Sequence, residues 1–500
     1  MASSREREPE DRPNVVVFLA DQHRWDCLGA CGNRDVRTPN LDQLAREGEL
    51  FENAFCTFPV CTPSRYSLLT GLFAHQHLGL TNRSSLPAGL PTFPALLRHV
   101  GYRTAAVGKM HFTPTYADLG FQSMLLCEQD GPGRWDDDYH RYLVARGLAD
   151  RVDLRDQVSE FRARAAPDYW ETFGAQPSDL PDEHYSTTWI GDRAVEEAAA
   201  WETGGHLLVV GFVKPHHPFD APPPWCDEYD PDALALPAGW TPDLSPLDAS
   251  RRGFFDNSKL SETTLRRVVA QYYASITQLD HHVGRVLDAL RDAGLFDDAL
   301  VVYASDHGEY LGFHHLLLKG GLMYDPLVRV PLVVKWPGGR RAGRVNGDLH
   351  QLVDVAVTVL DQAGADVPQE LWGVGTTLDE PGRDAVFAQA GGPNYLVRTD
   401  RLKLLVRPPP APPLLFDLEA DPLEERDVAG DPSRREDADE LRGRLFSWLA
   451  FDCPARAHSD PRGPTLAAPN VPRAGDGHVE RARAYFRSKM EGWPGLRTGS

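Results

Sequence analysis

An α/β fold, with a large and mostly parallel central sheet flanked by helices and a smaller C-terminal α+β subdomain, follows from three features of the sequence. Residues 14–20, 103–107, 207–212 and 300–305 are largely apolar runs of strand length, each followed by a polar cluster within a few residues. That is the composition of strands buried on both faces of a parallel sheet. Helical periods separate them, the longest over residues 265–293. Beyond about residue 380 the pattern changes to short strands, 395–397 and 402–406, and a proline run. The expected division is a main α/β domain over residues 1–380, a subdomain with a small antiparallel sheet over 381–454, and a tail rich in Pro, Gly and Arg over 455–500.

Taken in order, the first run ends in Asp21-Gln22. An Asp after a strand is more often a turn or cap residue, yet open α/β sheets collect ligands at the carboxyl ends of their strands. Thr38-Pro39-Asn40 with Leu41, Leu44 and Ala45 reads as an N-capped helix. Cys61-Thr62-Pro63-Ser64-Arg65 then opens a short helical pattern closed by Gly71. Cys61 is thereby expected at or just before a helix N-terminus, where free N–H groups and the dipole favour an anion. The second run delivers Gly108-Lys109-Met110-His111. Residues 115–180 lose periodicity and read as an insertion over the strand ends, carrying Arg134, Trp135, Asp136, Asp137, Asp138 and Tyr139. A helix near 186–201 leads to the third run and to Lys214-Pro215-His216-His217-Pro218-Phe219. Adjacent histidines between prolines are rarely core packing, because a strand would point them to opposite faces. The fourth run ends in Asp306-His307-Gly308-Glu309, and Lys319 follows twelve residues after His307. A further strand at 330–336 and a helix at 353–363 complete the main domain.

Composition narrows the function. A net charge of −20 leaves no basic stripe for nucleic acid and disfavours an anionic membrane surface. The N-terminus lacks the apolar run of a signal peptide, and no segment has the length of a membrane span. The seven cysteines form neither a disulfide framework nor a CxxC pair, so a cytoplasmic location is expected. Lysine is scarce, seven residues against forty-five arginines, yet Lys109, Lys214 and Lys319 all fall in the motifs above. Lysine can surrender its proton in a protein and arginine cannot, so these positions point to proton chemistry.

The pentapeptide beginning at Cys61 resembles the signature of the type I sulfatases of the alkaline phosphatase superfamily, in which a maturation enzyme oxidises this cysteine to formylglycine. Gly108-Lys109-Met110-His111 and His216-His217-Pro218-Phe219 are similar to two further hallmarks, and Leu415-Phe416-Asp417-Leu418 with Asp421-Pro422 to the turn of the C-terminal subdomain. The resemblance covers most of residues 14–425. It implies an alkaline phosphatase-like sheet and one divalent metal held by Asp21, Gln22, Asp306, His307 and the side chain at 61. Ca²⁺ is the first expectation, with Mg²⁺ or Mn²⁺ as alternatives. Many members carry a second Asp and an Asn where this chain has Gln22 and His307; choline sulfatase-like enzymes and phosphonate monoester hydrolases share the variation seen here.

The resemblance also implies roles. A hydrated formylglycine at 61 attacks sulfur while Arg65 and Lys109 stabilise the charged oxygens. His216 and Lys319 protonate or neutralise the departing alkoxide, and His111 takes the proton whose loss expels sulfate. The expected function is therefore hydrolysis of a small-molecule sulfate ester, with a formylglycine-generating enzyme as maturation partner and a homo-oligomer compatible with the sequence. A phosphonate monoester or phosphodiester hydrolase is the alternative, disfavoured by Lys109 and His111; a non-catalytic binding protein with an unmodified Cys61 is the third reading. The net charge and the acidic-aromatic insertion favour a small organic sulfate over a polysulfated glycan, and suggest a cationic alcohol such as choline.

Overall fold

Eight strands, β1 (Val15–Asp21), β2 (Glu49–Phe55), β3 (Arg103–Gly108), β4 (Ser123–Leu126), β5 (His206–Pro215), β6 (Leu300–Ser305), β7 (Arg329–Lys335) and β8 (Arg344–Gln351), form one sheet in the order β4-β3-β5-β1-β6-β7-β2-β8. The structure is a computed structural model that describes residues 10, 12–130, 132–244, 254–368, 374–455, 475 and 477–497. The four expected inner strands are neighbours in space, β3-β5-β1-β6, and pair in parallel, so their carboxyl ends lie along one edge. β7 alone runs antiparallel to its neighbours, because the chain reaches it from β6 without the long crossover helix a parallel return needs. The sequence reading passed over β2, β4 and β8. β4 and β8 are the two edges, and β8 exposes Arg344, Val345, Gly347 and Asp348, so it carries no apolar run.

The main helices are α1 (Pro39–Glu47), α2 (Cys61–Thr70), α3 (Asp138–Ala145), α4 (Ser186–Ala199), α5 (Glu262–Asp292), α6 (Val353–Gln362), α7 (Arg435–Ser447) and α8 (His478–Met490). Successive β1 residues enter different cores: Val15, Val17 and Leu19 meet side chains from α2 and α6, whereas Val16, Phe18 and Ala20 meet those of α1, α4 and α5. Both faces are therefore covered, as a parallel sheet requires.

A second sheet, β9 (Val386–Ala390), β10 (Asn394–Arg398), β11 (Leu402–Val406) and β12 (Leu414–Asp417), is antiparallel throughout. Buried Lys403 ties it to the main body, its ammonium 2.8 Å from Asp325 and 2.7 Å from Glu424. Within the stretch read as a tail, α8 presents Ala482, Phe486 and Met490 at helical spacing to Trp135, Ala149, Leu154 and Phe161. Residues 456–474, 476 and 498–500 of that stretch lie outside the described residues.

Candidate active site

The strand ends place their polar residues around one point. Asp21 closes β1 with Gln22 next to it, Lys109 and His111 follow β3, His216 follows β5, and Asp306 and His307 follow β6. Gly108 makes the turn out of β3: its φ is +91°, and a Cβ there would lie 2.1 Å from the Gly211 carbonyl oxygen. Gln22 and His111 themselves adopt left-handed conformations, φ 67° and 59°, which the surrounding packing must hold in place. Helix α2 begins at Cys61 and is buried along its whole length, ending on Gly71 in the left-handed conformation with its N–H on the Ser67 carbonyl.

Cys61, buried, is the centre of the constellation. Its Sγ lies 3.2 Å from Lys319 Nζ, 3.4 Å from His307 Nε2 and 3.7 Å from Asp21 Oδ1. Burial pushes the thiol pKa up, but Lys319, Lys109 and His307 outweigh it and bring it well below the ordinary value. One turn on, Arg65 Nε donates to Asp306 Oδ2 at 2.8 Å and its Nη2 to Asp21 Oδ2 at 3.1 Å, while Nη1 reaches the Lys109 carbonyl at 2.5 Å. Arg65 is thus a strut between the two carboxylates. Lys109 Nζ pairs with Asp21 Oδ2 at 2.7 Å and donates to Gln129 Oε1 at 2.9 Å.

Asp21, Cys61, Asp306 and His307 offer donor atoms that all lie within 4.8 Å of one another. The donor chemistry fits a cation. The Asp21 carboxyl is disfavoured by burial and by the Cys61 thiolate, yet Lys109, His216 and Arg65 hold it below the usual carboxylate range. Asp306 is pushed up by burial and by the Asp21 charge beside it, as expected where two carboxylates share too little positive charge. The ammonium of Lys319 sits against the same donors, 3.0 Å from Gln22 Oε1, 3.3 Å from His307 Nε2 and 3.0 Å from His216 Nε2. The outer contacts orient the ligands: Gln22 Nε2 donates to Glu309, which leaves its carbonyl facing the cluster, and His307 Nδ1 lies 2.9 Å from the Gly308 carbonyl, which leaves Nε2 free to bind.

On the other side, His111 Nε2 pairs with Asp130 Oδ1 at 2.7 Å. Burial disfavours the imidazolium, but Asp130 outweighs it and raises the pKa to about 9. His111 Nδ1 is buried without a hydrogen-bond partner. His216 Nδ1 lies 2.6 Å from the His217 carbonyl, so Nε2 is the acceptor for Lys319. Burial and Lys319 lower its pKa to about 4, and the ring is neutral. Lys214 takes no part in the cluster; it pairs with Asp220 and donates to the His216 and Pro218 carbonyls, which shapes the loop that carries His216.

All ten residues marked in the sequence as site candidates come together. Sequence reasoning missed Gln129, which bridges Lys109 and the His217 carbonyl; Asp130, which holds His111; Glu128, whose carboxylate accepts the Met110 and His111 amides; and Glu309 behind Gln22. The first three follow β4, so the strand-end argument would have found them had that four-residue edge strand been legible. The acidic-aromatic insertion is corrected by the structure. Asp137 accepts the His140 amide that caps α3, Asp138 accepts from Tyr116 and Leu126, and Asp136 meets Arg141, while Trp135 packs on Phe486. Those carboxylates serve local folding, and Trp135 and Tyr139 are buried, so the described residues 135–139 do not form an open acidic aromatic face.

A family model described as Sulfatase matches residues 13–365. The chain is 29% identical to an arylsulfatase of Clostridium perfringens, over 88% of this chain and 94% of that protein. It is 29% identical to the multifunctional alkaline phosphatase superfamily protein PehA of Trinickia caryophylli, over 87% of this chain and 95% of the relative. The fold superposes on phosphonate monoester hydrolase of Agrobacterium radiobacter with a TM-score of 0.73 at 25% identity, covering 87% of this chain and 95% of that one.

Proposed function

This chain belongs to the sulfatase family, and we propose that it hydrolyses small sulfate monoesters to an alcohol and inorganic sulfate, with residue 61 as formylglycine and one divalent metal at the carboxylate cluster. The observation that carries the reading is Cys61 at the first turn of α2, within reach of Asp21, His307 and Lys319. An aldehyde at 61, once hydrated, supplies a hydroxyl nucleophile and a second hydroxyl whose proton can be removed to release the product. A hard divalent ion held by Asp21, Asp306, Gln22 and His307 would supply Lewis-acid stabilisation of charged oxygens.

The protein's own groups do the rest. Arg65 keeps the two carboxylates apart and aimed, and Lys109 adds positive charge beside Asp21 for the sulfuryl oxygens. The Lys319 ammonium donates toward the departing alkoxide, with neutral His216 fixing its position at 3.0 Å. His111 Nδ1, buried and unpartnered, accepts the proton lost from residue 61 as sulfate leaves, and Asp130 steadies the imidazolium that forms.

Similarity to a phosphonate monoester hydrolase favours a second reading, cleavage of phosphonate monoesters or phosphodiesters. Lys109 and His111 favour the sulfate reading. A panel of sulfate, phosphate and phosphonate esters, run on protein matured with a formylglycine-generating enzyme, decides between them. The expected result is the highest kcat/KM on a sulfate ester, formylglycine at 61 by peptide mass spectrometry, and about one divalent ion per chain by elemental analysis. Preference for a phosphonate ester would overturn the substrate; an unmodified thiol in fully active protein would overturn the nucleophile.

A further inference from the structure

A cavity of about 610 Å³ opens beside His111, a volume suited to a ligand of one or two rings. Its walls come from distant parts of the chain: the loop after α2 brings Arg83, the segment after β4 brings Asp130 and Trp135, and α8 brings Arg483. Of the carboxylates on the wall, Glu128 is buried and accepts two backbone amides at Oε1, its Oε2 unpartnered, and Asp130 is already engaged by His111. The two arginines are not. Both are exposed, and among the described residues neither guanidinium pairs with a carboxylate; Arg483 meets only the face of Trp135, 5.8 Å from its centroid. Arg134, in the same wall, is held by Asp153 and the Gln129 carbonyl, and arginines elsewhere on this acidic protein, such as Arg193, Arg266 and Arg444, have carboxylate partners. Two uncommitted guanidinium groups at the rim of one cavity reverse the local sign of a molecule whose net charge is −20.

We propose that this cavity holds the far end of the alcohol, beyond the ester bond that breaks beside Lys319 and His216, and that Arg83 and Arg483 select sulfate esters whose alcohol carries a second anionic group. The inference rests on the sulfatase reading. A guanidinium matches a carboxylate or a second sulfate by bidentate hydrogen bonding, and the aromatic wall of Phe112 and Trp135 suits a ring between the two anions.

The test compares kcat/KM for phenyl sulfate, 4-sulfooxybenzoate, a phenyl disulfate and choline sulfate in the matured wild type and in Arg83→Gln, Arg483→Gln and Arg483→Lys. The wild type is expected to prefer an ester with a second anion. The ratio of 4-sulfooxybenzoate or the disulfate to phenyl sulfate should fall about tenfold in each Gln variant, as for loss of a hydrogen bond to a charged group, and recover in part in Arg483→Lys. Which of the two esters suffers more identifies the anion as carboxylate or sulfate. A wild-type preference for phenyl or choline sulfate, or ratios unmoved by both Gln variants, would overturn the proposal. Calorimetric binding of 4-hydroxybenzoate is independent of turnover: loss of that binding in the Gln variants upholds the pocket even where no sulfate ester is hydrolysed, the result that would sink the sulfatase reading instead.

Discussion

The carboxylate side of the cluster and its lid side are built to different rules. On the carboxylate side, Asp21, Asp306 and Arg65 are fully buried, come from the ends of inner strands and the second turn of α2, and have their side-chain atoms engaged with one another. On the lid side, His111, Gln129, Asp130 and Lys319 all come from loops, Lys319 and Asp130 are half-buried, and His111 keeps a free nitrogen. The first is a rigid frame whose charges must be matched for the chain to fold; the second has room to exchange protons and to admit a substrate. Removing a member of the first should cost stability as well as rate, and removing a member of the second chiefly rate.

The largest effect is expected at the point where the two sides meet. Cys61→Ala should lower turnover at least about a thousandfold, because nothing else can supply the nucleophile, while the thermal transition stays cooperative. Sulfate release and a melting curve check both halves. Next, Lys109→Ala and Lys319→Ala should each slow turnover by about a hundredfold. Only the first should also destabilise the fold, by about 3 kcal/mol, because it strips a buried partner from Asp21. Denaturant titration separates them, and equal stability loss in both would erase the distinction between frame and lid.

Asp130→Asn sharpens the lid side further. Asp130 raises His111 from 6.5 to about 9, so the stability it confers is complete below pH 6.5 and is lost as pH rises through about 9. A base that must be neutral as sulfate leaves, after the ester bond has broken, makes kcat climb over the same range. In Asp130→Asn that limb should move to lower pH and the alkaline loss of stability should shrink; an unmoved pH profile would remove His111 from proton transfer. The smallest effect on rate is expected for Phe486→Ala. Phe486 is fully buried between Trp135 and His140, and its loss should loosen the lid by about 3 kcal/mol or more. Faster amide exchange over residues 134–161, with the sheet unchanged, would report it.

The four inner strands and their polar ends were legible in the amino-acid order alone, because strands buried on both faces must be largely apolar and any polar residue closing them stands out. The same holds for Cys61, marked by its pentapeptide and by the helix that Gly71 ends. Other features existed only in three dimensions. β4 is four residues long and β8 is half-exposed, so neither had a periodic signature, and Glu128, Gln129 and Asp130 stayed hidden behind β4. The aspartates at 136–138 read as part of an acidic-aromatic insertion bearing on the substrate, yet Asp137 caps α3 and Asp138 accepts internal donors, since composition does not say where a side chain's hydrogen bonds go. Spatial order brought β3, β5, β1 and β6 side by side out of sequence, and α8, from a stretch that read as a tail, returned Arg483 to the cavity beside His111. Local patterns dictate which segments must be buried; the partners that bury them, and the site those partners complete, are settled by long-range packing.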